Sequence, residues 1–144
     1  MARYLLDTNI LSYLLDTASP FHAAAHGRLA QLADEDEVVL SILSLYELHH
    51  WFAYHPAPRA DAHEIIRDFG IMPLSETGAE LFGALMRDLR AGRPRAEVQR
   101  HAIDCIIAVT ALEGGAVLVS NDALFAQLVE LVPALELDNW AATG

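Results

Sequence analysis

A three-layer α/β/α sandwich around a central, mainly parallel sheet is the fold class that this 144-residue sequence predicts. Three observations carry the prediction. Apolar runs of strand length alternate with longer stretches of helical periodicity. Strands separated by helices pair in parallel through right-handed crossovers. The apolar fraction of 53% suffices for a core, and one domain over residues 1–144 is expected, because a chain of roughly this length buries about 68–70% of its unfolded surface.

The elements follow in order. Tyr4-Leu5-Leu6 is a short buried strand that ends at Asp7, and Asn9 to Leu15 is helical. Ser19-Pro20 fits an N-cap with proline in the first turn, opening a helix to about Ala33. Asp34 to Glu37 is expected as a solvated turn. Val38 to Ile42 is a strand, and Ser44 opens a helix through about Tyr54, with Pro56 and Pro58 at its end. A helix over Arg59 to Phe69 leads to an extended stretch, Ile71 to Leu74. Ser75 starts a helix to about Ala91, closed by Gly92. Arg93 to Glu97 reads as a loop, followed by a long helix to Glu113 that Gly114-Gly115 stops. Ala116 to Val119 is a strand, Ser120 caps a short helix from Asp122 to about Leu131, and Leu135 to Leu137 forms a last edge strand.

Charge narrows the function. There are 20 acidic residues against nine basic ones, for a net charge of −11. All nine basic residues are arginine, which excludes Schiff-base chemistry, a P-loop lysine and a lysine base. The acid excess argues against a nucleic-acid binder held by a broad basic surface. Cys105 is the single cysteine, so neither an internal disulfide nor a multi-cysteine zinc site forms. A reducing cytoplasm is the expected location. No signal peptide is read in the opening residues, and no apolar run approaches the ~20 residues that span a membrane.

Ligands in parallel α/β sheets bind beyond the carboxyl ends of the strands. Asp7 stands directly after one predicted strand, Asp122 ends the Ser120-Asn121-Asp122 segment after another, and Glu47 closes the Ser44–Glu47 turn after a third. Each has a bland reading: Asp7 as a helix cap, Glu47 as the partner of Ser44 in an S-x-x-E capping box, and Asp122 as a first-turn acid. Asp104 lies in a helix apolar on most sides, where an isolated carboxylate must be paired, protonated or metal-bound. The alternatives for it are an Arg95 or Arg100 partner, or a cap if the helix starts there. Together, four acids converging on one crevice cannot all stay ionised without positive charge. Hard divalent cations answer that need, and magnesium is often held by carboxylates, waters and substrate phosphates. Thr8, Asn9 and Ser120 are placed to orient the carboxylates.

The motifs Tyr4-Leu5-Leu6-Asp7-Thr8-Asn9-Ile10-Leu11, Ser41 to Leu48, Asp104-Cys105-Ile106-Ile107-Ala108 and Val119-Ser120-Asn121-Asp122 together resemble a PIN domain. The closing Leu135 to Trp140 is also similar to many members. The subgroup most resembled is the VapC-type toxins of toxin–antitoxin pairs. That resemblance implies an endoribonuclease dependent on Mg2+ or Mn2+, whose cleavage leaves a 5′-phosphate and a 3′-hydroxyl. It implies Asp7, Asp104 and Asp122 as the direct metal ligands, with Glu47 completing the catalytic site. It further implies a homodimer and inhibition by a cognate antitoxin. His49-His50-Trp51 stands where such chains commonly carry a glycine, and the stretch from Gly92 to Asp104 is longer than usual.

Weaker signals remain. Arg87, Arg90, Arg93, Arg95 and Arg100 lie within 14 residues that hold only Asp88 and Glu97 as acids, a local balance of +3. Guanidinium forks suit phosphate, so RNA is expected to approach there. His49 and His50 are candidate acid–base groups. His22 and His26 have the spacing of a zinc pair without a third ligand. Cys105 reads as a small core residue or a soft-metal ligand. Trp51, Phe52 and Tyr54 are read as a partner surface, a core contribution or a dimer contact.

Overall fold

The computed structural model describes residues 1–54 and 59–142, and of residues 59–61 the backbone only. Pro56 and Pro58 therefore lie outside the described residues. Strands β1 (Arg3–Leu6), β2 (Glu37–Ser41), β3 (Gly70–Met72), β4 (Val117–Val119) and β5 (Leu137–Asp138) form one sheet in the order β3-β2-β1-β4-β5. Every strand pair described is parallel. Between them run α1 (Thr8–Leu15), α2 (His22–Ala30), α3 (Ile42–Tyr54), α4 (Arg59–Ile66), α5 (Glu76–Arg90), α6 (Arg95–Arg100), α7 (Ala102–Glu113) and α8 (Leu124–Leu131).

Alternation along the strands builds two cores. Leu5, Val39 and Leu118 face one side of the sheet, where they pack with Leu85, Leu89, Val98, Ile107, Phe125 and Leu128 of α5 to α8. Leu6, Leu40 and Val119, one residue on, face the other side, with Ile10, Leu14, Ala25, Leu48, Phe52 and Trp140. Successive side chains of a strand point to opposite faces, so a strand apolar on both faces needs helices above and below. The three-layer sandwich follows.

From β1 the chain builds outward through β2 and β3, then returns to add β4 on the other flank of β1. The order in which strands are added thus reverses between β1 and β4, the place where open α/β sheets form a ligand crevice. Two glycines make sharp exits possible. Gly92 after α5 has φ +76° and Gly115 before β4 has φ +61°, left-handed conformations that suit glycine. Ser75 caps α5 by accepting from the Gly78 amide at 3.0 Å.

Several boundaries differ from expectation, each for a local reason. Ser19 Oγ accepts from the Phe21 amide at 3.1 Å, so Ser19-Pro20 forms a turn ahead of α2, which starts at His22 and ends at Ala30. The acidic run is not simply solvated. Asp36 accepts from the Ala2 and Ala33 amides at 2.9 and 3.0 Å, and Glu37 in β2 pairs with Arg3 at 2.8 Å. Helix α4 ends at Ile66 rather than Phe69, β3 spans Gly70–Met72, and β5 spans Leu137–Asp138. The expected loop over Arg93 to Glu97 is helical from Arg95, and the long helix to Glu113 is broken at His101 into α6 and α7. Helix α8 starts at Leu124, because Asp122 turns back to accept from the Leu124 amide.

Candidate metal and nucleic-acid site

Parallel pairing puts the ends of β1, β2 and β4 on one edge of the sheet. Asp7 follows β1 directly and is buried. Its Oδ1 accepts from the Thr8 amide at 2.8 Å, which caps α1, while its Oδ2 accepts from Ser120 Oγ at 2.8 Å. The capping role and the crevice-facing role therefore coexist. Burial raises the Asp7 carboxyl above its usual range, more than the Ser120 and Thr8 hydrogen bonds lower it.

Ser120 joins the ends of β1 and β4. Its hydroxyl also accepts from the Asp122 amide at 3.0 Å, and Asn9 Nδ2 approaches it at 3.4 Å. Asp122 is held in the turn before α8 through its Oδ1. Glu47 lies in the second turn of α3. That helix begins at Ile42, so Ser44 is a buried interior residue and the S-x-x-E capping box does not form. Ser44 Oγ instead accepts from Thr8 Oγ1 at 3.2 Å. Burial raises the Glu47 carboxyl, and the charge of Asp7 adds to the rise.

Asp104 reaches the same edge from α7. The break at His101 places it in the first turn of that helix, not mid-helix as the apolar pattern implied. Its neighbouring basic side chain is His101, whose Nδ1 lies 4.0 Å from Oδ2, and not Arg95 or Arg100. The Asp104 carboxyl is pushed up to about 6, first by burial and then by Asp7, Asp122 and Glu47, while His101 opposes the rise. Four segments distant in sequence thus bring their acids into one field. Among the described residues, no three His, Cys, Asp or Glu side chains stand close enough to share one metal ion. The donor set nevertheless fits a hard divalent cation: oxygen donors, raised carboxyls and no lysine or arginine beside Asp104.

Sequence reasoning missed an amide network at the rim. Asn139, just beyond β5, donates to Asn121 Oδ1 at 2.8 Å, and Asn121 donates to Tyr13 Oη at 3.2 Å. The Asn121 amide also approaches Asn9 Oδ1 at 3.4 Å. These contacts tie β5 and α1 to the loop that carries Ser120 and Asp122. Only the position of Asn121 between those two residues hinted at it.

The arginine segment lies toward the same end of the molecule. Ser75 at the start of α5 bonds Glu113 at the end of α7, at 2.5 and 2.6 Å, so the two helices run antiparallel. Arg87 and Arg90, in the last turn of α5, are therefore on the Asp104 side. Their side chains differ in use. Arg87 pairs with Asp88, Arg90 donates to the Arg93 carbonyl, and Arg93 donates to the Leu89 carbonyl and Gln127. Arg95 and Arg100 are exposed.

The remaining candidates separate clearly. His22 Nδ1 donates to the Tyr13 carbonyl at 2.9 Å and its ring lies 5.6 Å from that of His26, a packing pair. Cys105 is fully buried, and burial together with Asp104 pushes its thiol up to about 11, which fits a core residue rather than a thiolate ligand. Phe52 is core, whereas Trp51 and Tyr54 are exposed. His49 stands edge-on to Phe52.

Comparison with known proteins agrees with this architecture. No curated protein sequence matches significantly. Among solved structures, VapBC-1 from nontypeable Haemophilus influenzae is similar at 26% identity and a TM-score of 0.71, covering 97% of this chain and 99% of that one. VapBC2 from Rickettsia felis, bound to a DNA fragment from its promoter, matches at 23% identity and a TM-score of 0.73 over 96% and 98% of the two chains. FitAcB from Neisseria gonorrhoeae matches at 20% identity and a TM-score of 0.73 over 97% and 99%. The PIN domain family model matches residues 4–131. With α1 to α8 and all of β1 but Arg3 inside that span and the acid-bearing strand ends within it, the chain belongs to the PIN-domain family.

Proposed function

We propose that this chain is the toxin of a toxin–antitoxin pair and acts as a metal-dependent endoribonuclease. One observation carries the reading: within a PIN-domain match over residues 4–131, Ser120 donates to the buried Asp7 carboxylate and accepts from the Asp122 amide, and Asp104 and Glu47 lie in the field of the same acids. An acid field of that kind is the environment that a divalent cation relieves. Asp7, Asp104 and Asp122 would hold Mg2+ or Mn2+, and Glu47 would complete the site. When bound, the cation supplies positive charge at the phosphodiester and lowers the pKa of water. Thr8, Asn9 and Ser120 orient the carboxylates. Arg87, Arg90, Arg93, Arg95 and Arg100 form the flank along which RNA approaches, with Arg95 and Arg100 the freest to meet phosphate.

The toxin role is supported by the similar structures, whose names are those of toxin–antitoxin systems. On that reading the partner is a cognate antitoxin that presents a basic segment to a protein of net charge −11. A homodimer is expected from the same resemblance. No described helix is long and apolar enough to cross a membrane.

The test is direct. Purified protein with Mn2+ or Mg2+ is expected to cut RNA, and both chelation and Asp104→Asn are expected to abolish cutting while circular dichroism is unchanged. RNA left intact by the wild type under every metal condition would favour a non-catalytic PIN-like binding module, and equal cutting by wild type and Asp104→Asn would point to contamination.

A further inference from the structure

The amide network at the rim has a direction, and it ends in a hydroxyl donor. The Ala141 amide, which can only donate, gives its proton to Asn139 Oδ1 at 2.9 Å. Asn139 therefore turns its Nδ2 toward Asn121, whose Oδ1 accepts at 2.8 Å. Asn121 Nδ2 is then left to donate to Tyr13 Oη at 3.2 Å. The backbone proton at one end thus fixes both side-chain amides and makes Tyr13 Oη an acceptor from the network. Its own proton goes to no described residue. Each bond polarises the next, so the terminal O–H is a stronger donor than that of an isolated tyrosine.

Tyr13 is held beside the acids. It follows Asn9 by one turn of α1, on the side of the helix that meets the loop of Ser120 to Asp122. Asn9 Oδ1 faces the Asn121 amide and Asn9 Nδ2 faces Ser120 Oγ, each at 3.4 Å. Ser120 in turn bonds Asp7, so the hydroxyl is linked to that carboxylate through Asn121, Asn9 and Ser120. The Tyr13 ring is half-buried, with its centroid 4.7 Å from that of Phe21, and the Tyr13 carbonyl accepts from His22 Nδ1. Ring, carbonyl and hydroxyl are each fixed, which holds the donor in one place.

A donor of this kind matches a ligand atom that only accepts. The two non-bridging oxygens of a phosphodiester only accept, whereas base edges mix donors with acceptors. RNA seated at Asp122 carries its backbone past Asn121 and Tyr13. Arg28 reaches this end of β5 but is paired with Asp138, so a phosphate here meets neutral donors first. The arginine-bearing helices α5 and α6 pack on the other face of the sheet from α1.

We propose that the Tyr13 hydroxyl, aimed by Asn139 and Asn121, hydrogen-bonds an RNA backbone phosphate next to the scissile one. This rests on the ribonuclease reading and adds a second phosphate grip to it, on the flank opposite the arginine segment.

Tyr13→Phe removes the hydroxyl and keeps the ring. Cleavage of a short labelled single-stranded RNA with Mn2+ is expected to show KM raised about tenfold or more with kcat little changed, because a bond to a charged group is lost from ground and transition states alike. Mn2+ affinity and Tm are expected to stay close to wild type, which separates a substrate contact from slackening of the Asp122 loop. The contacted atom is found with 2′-O-methyl strands that carry one neutral methylphosphonate linkage at successive positions, bound to Asp104→Asn protein. At one position the neutral linkage is expected to weaken binding about tenfold when Tyr13 is present and not at all in Tyr13→Phe. An unchanged KM, or a KM rise matched by an equal loss of Mn2+ affinity, overturns the inference alone. Equal sensitivity of both proteins at every linkage also overturns it and gives the hydroxyl to a base, a ribose or a protein partner. Wild-type protein that neither binds nor cuts RNA removes the ribonuclease reading along with it.

Discussion

Ser120 Oγ donates to Asp7 Oδ2 at 2.8 Å, joining residues 113 positions apart, and the same hydroxyl accepts from the Asp122 amide at 3.0 Å. One small side chain thus sets the relation between the acids that follow β1 and β4. Ser120→Ala removes a hydrogen bond to a buried carboxylate, with an expected cost of about 1–3 kcal/mol in stability. Loss of such an orienting partner is expected to weaken Mn2+ binding by about 10–100-fold. Calorimetric titration with Mn2+ checks this, and Ser120→Thr, which keeps the hydroxyl, is expected to restore most of the affinity.

Metal itself is expected to stabilise the fold. Because a ligand of the folded state stabilises it by mass action, Mn2+ at about 100 times its Kd is expected to add about 2.7 kcal/mol. Differential scanning calorimetry should show a rise in Tm with Mn2+ or Mg2+ that Asp7→Asn or Asp104→Asn removes. A rise that persists in both variants would place the cation elsewhere.

The raised Asp104 carboxyl gives a signed pH dependence in metal-free protein. Below its ordinary value of 3.8 both folded and unfolded chains hold the proton, so Asp104 contributes nothing. Between 3.8 and about 6 the folded chain keeps a proton that the unfolded chain has lost, so stability falls as pH rises. Above that window the loss is constant, at most about 3 kcal/mol and less where water reaches the side chain. Asp7 and Glu47, both raised by burial, act in the same direction. Asp36, lowered by the Ala2 and Ala33 amides, acts oppositely and at lower pH. Chemical denaturation across pH 4–7 should show a smaller decline for Asp104→Asn than for wild type.

Asn139→Ala cuts the tether from β5 to the loop of Asn121 and Asp122. The expected loss of stability is about 1 kcal/mol, but the expected loss of RNA cleavage is larger in proportion because the loop carries a proposed ligand. Cleavage assays paired with thermal melting separate the two effects. Equal, small losses in both would make the network structural only.

Charge removal at Arg95 and Arg100 probes the RNA flank with little structural consequence, since both are exposed. Changing both to alanine is expected to reduce the salt slope of single-stranded RNA binding by about 1.4, with Mn2+ affinity unchanged. Arg93→Ala is a poorer probe, because it also removes bonds to the Leu89 carbonyl and Gln127.

Local pattern made the architecture legible. Leu5-Leu6, Val39-Leu40 and Leu118-Val119 read as strands apolar on both faces, and intervening helical periods force parallel crossovers. The same pattern marked Asp7 and Asp122 as strand-end acids, and the motifs pointed to the PIN-domain family. All of these depend on neighbours within a few residues. What tertiary structure decided depends on partners far apart in the chain. Whether Ser44 caps a helix or receives Thr8 turned on where β2 ends and α3 begins. Whether Asp104 faces arginine or three other acids turned on the helix break at His101. The Asn139–Asn121–Tyr13 tether and the structural use of Arg93 have no local signature. Periodicity determines which face of an element is buried, but only packing selects which polar groups from distant segments arrive at the same edge.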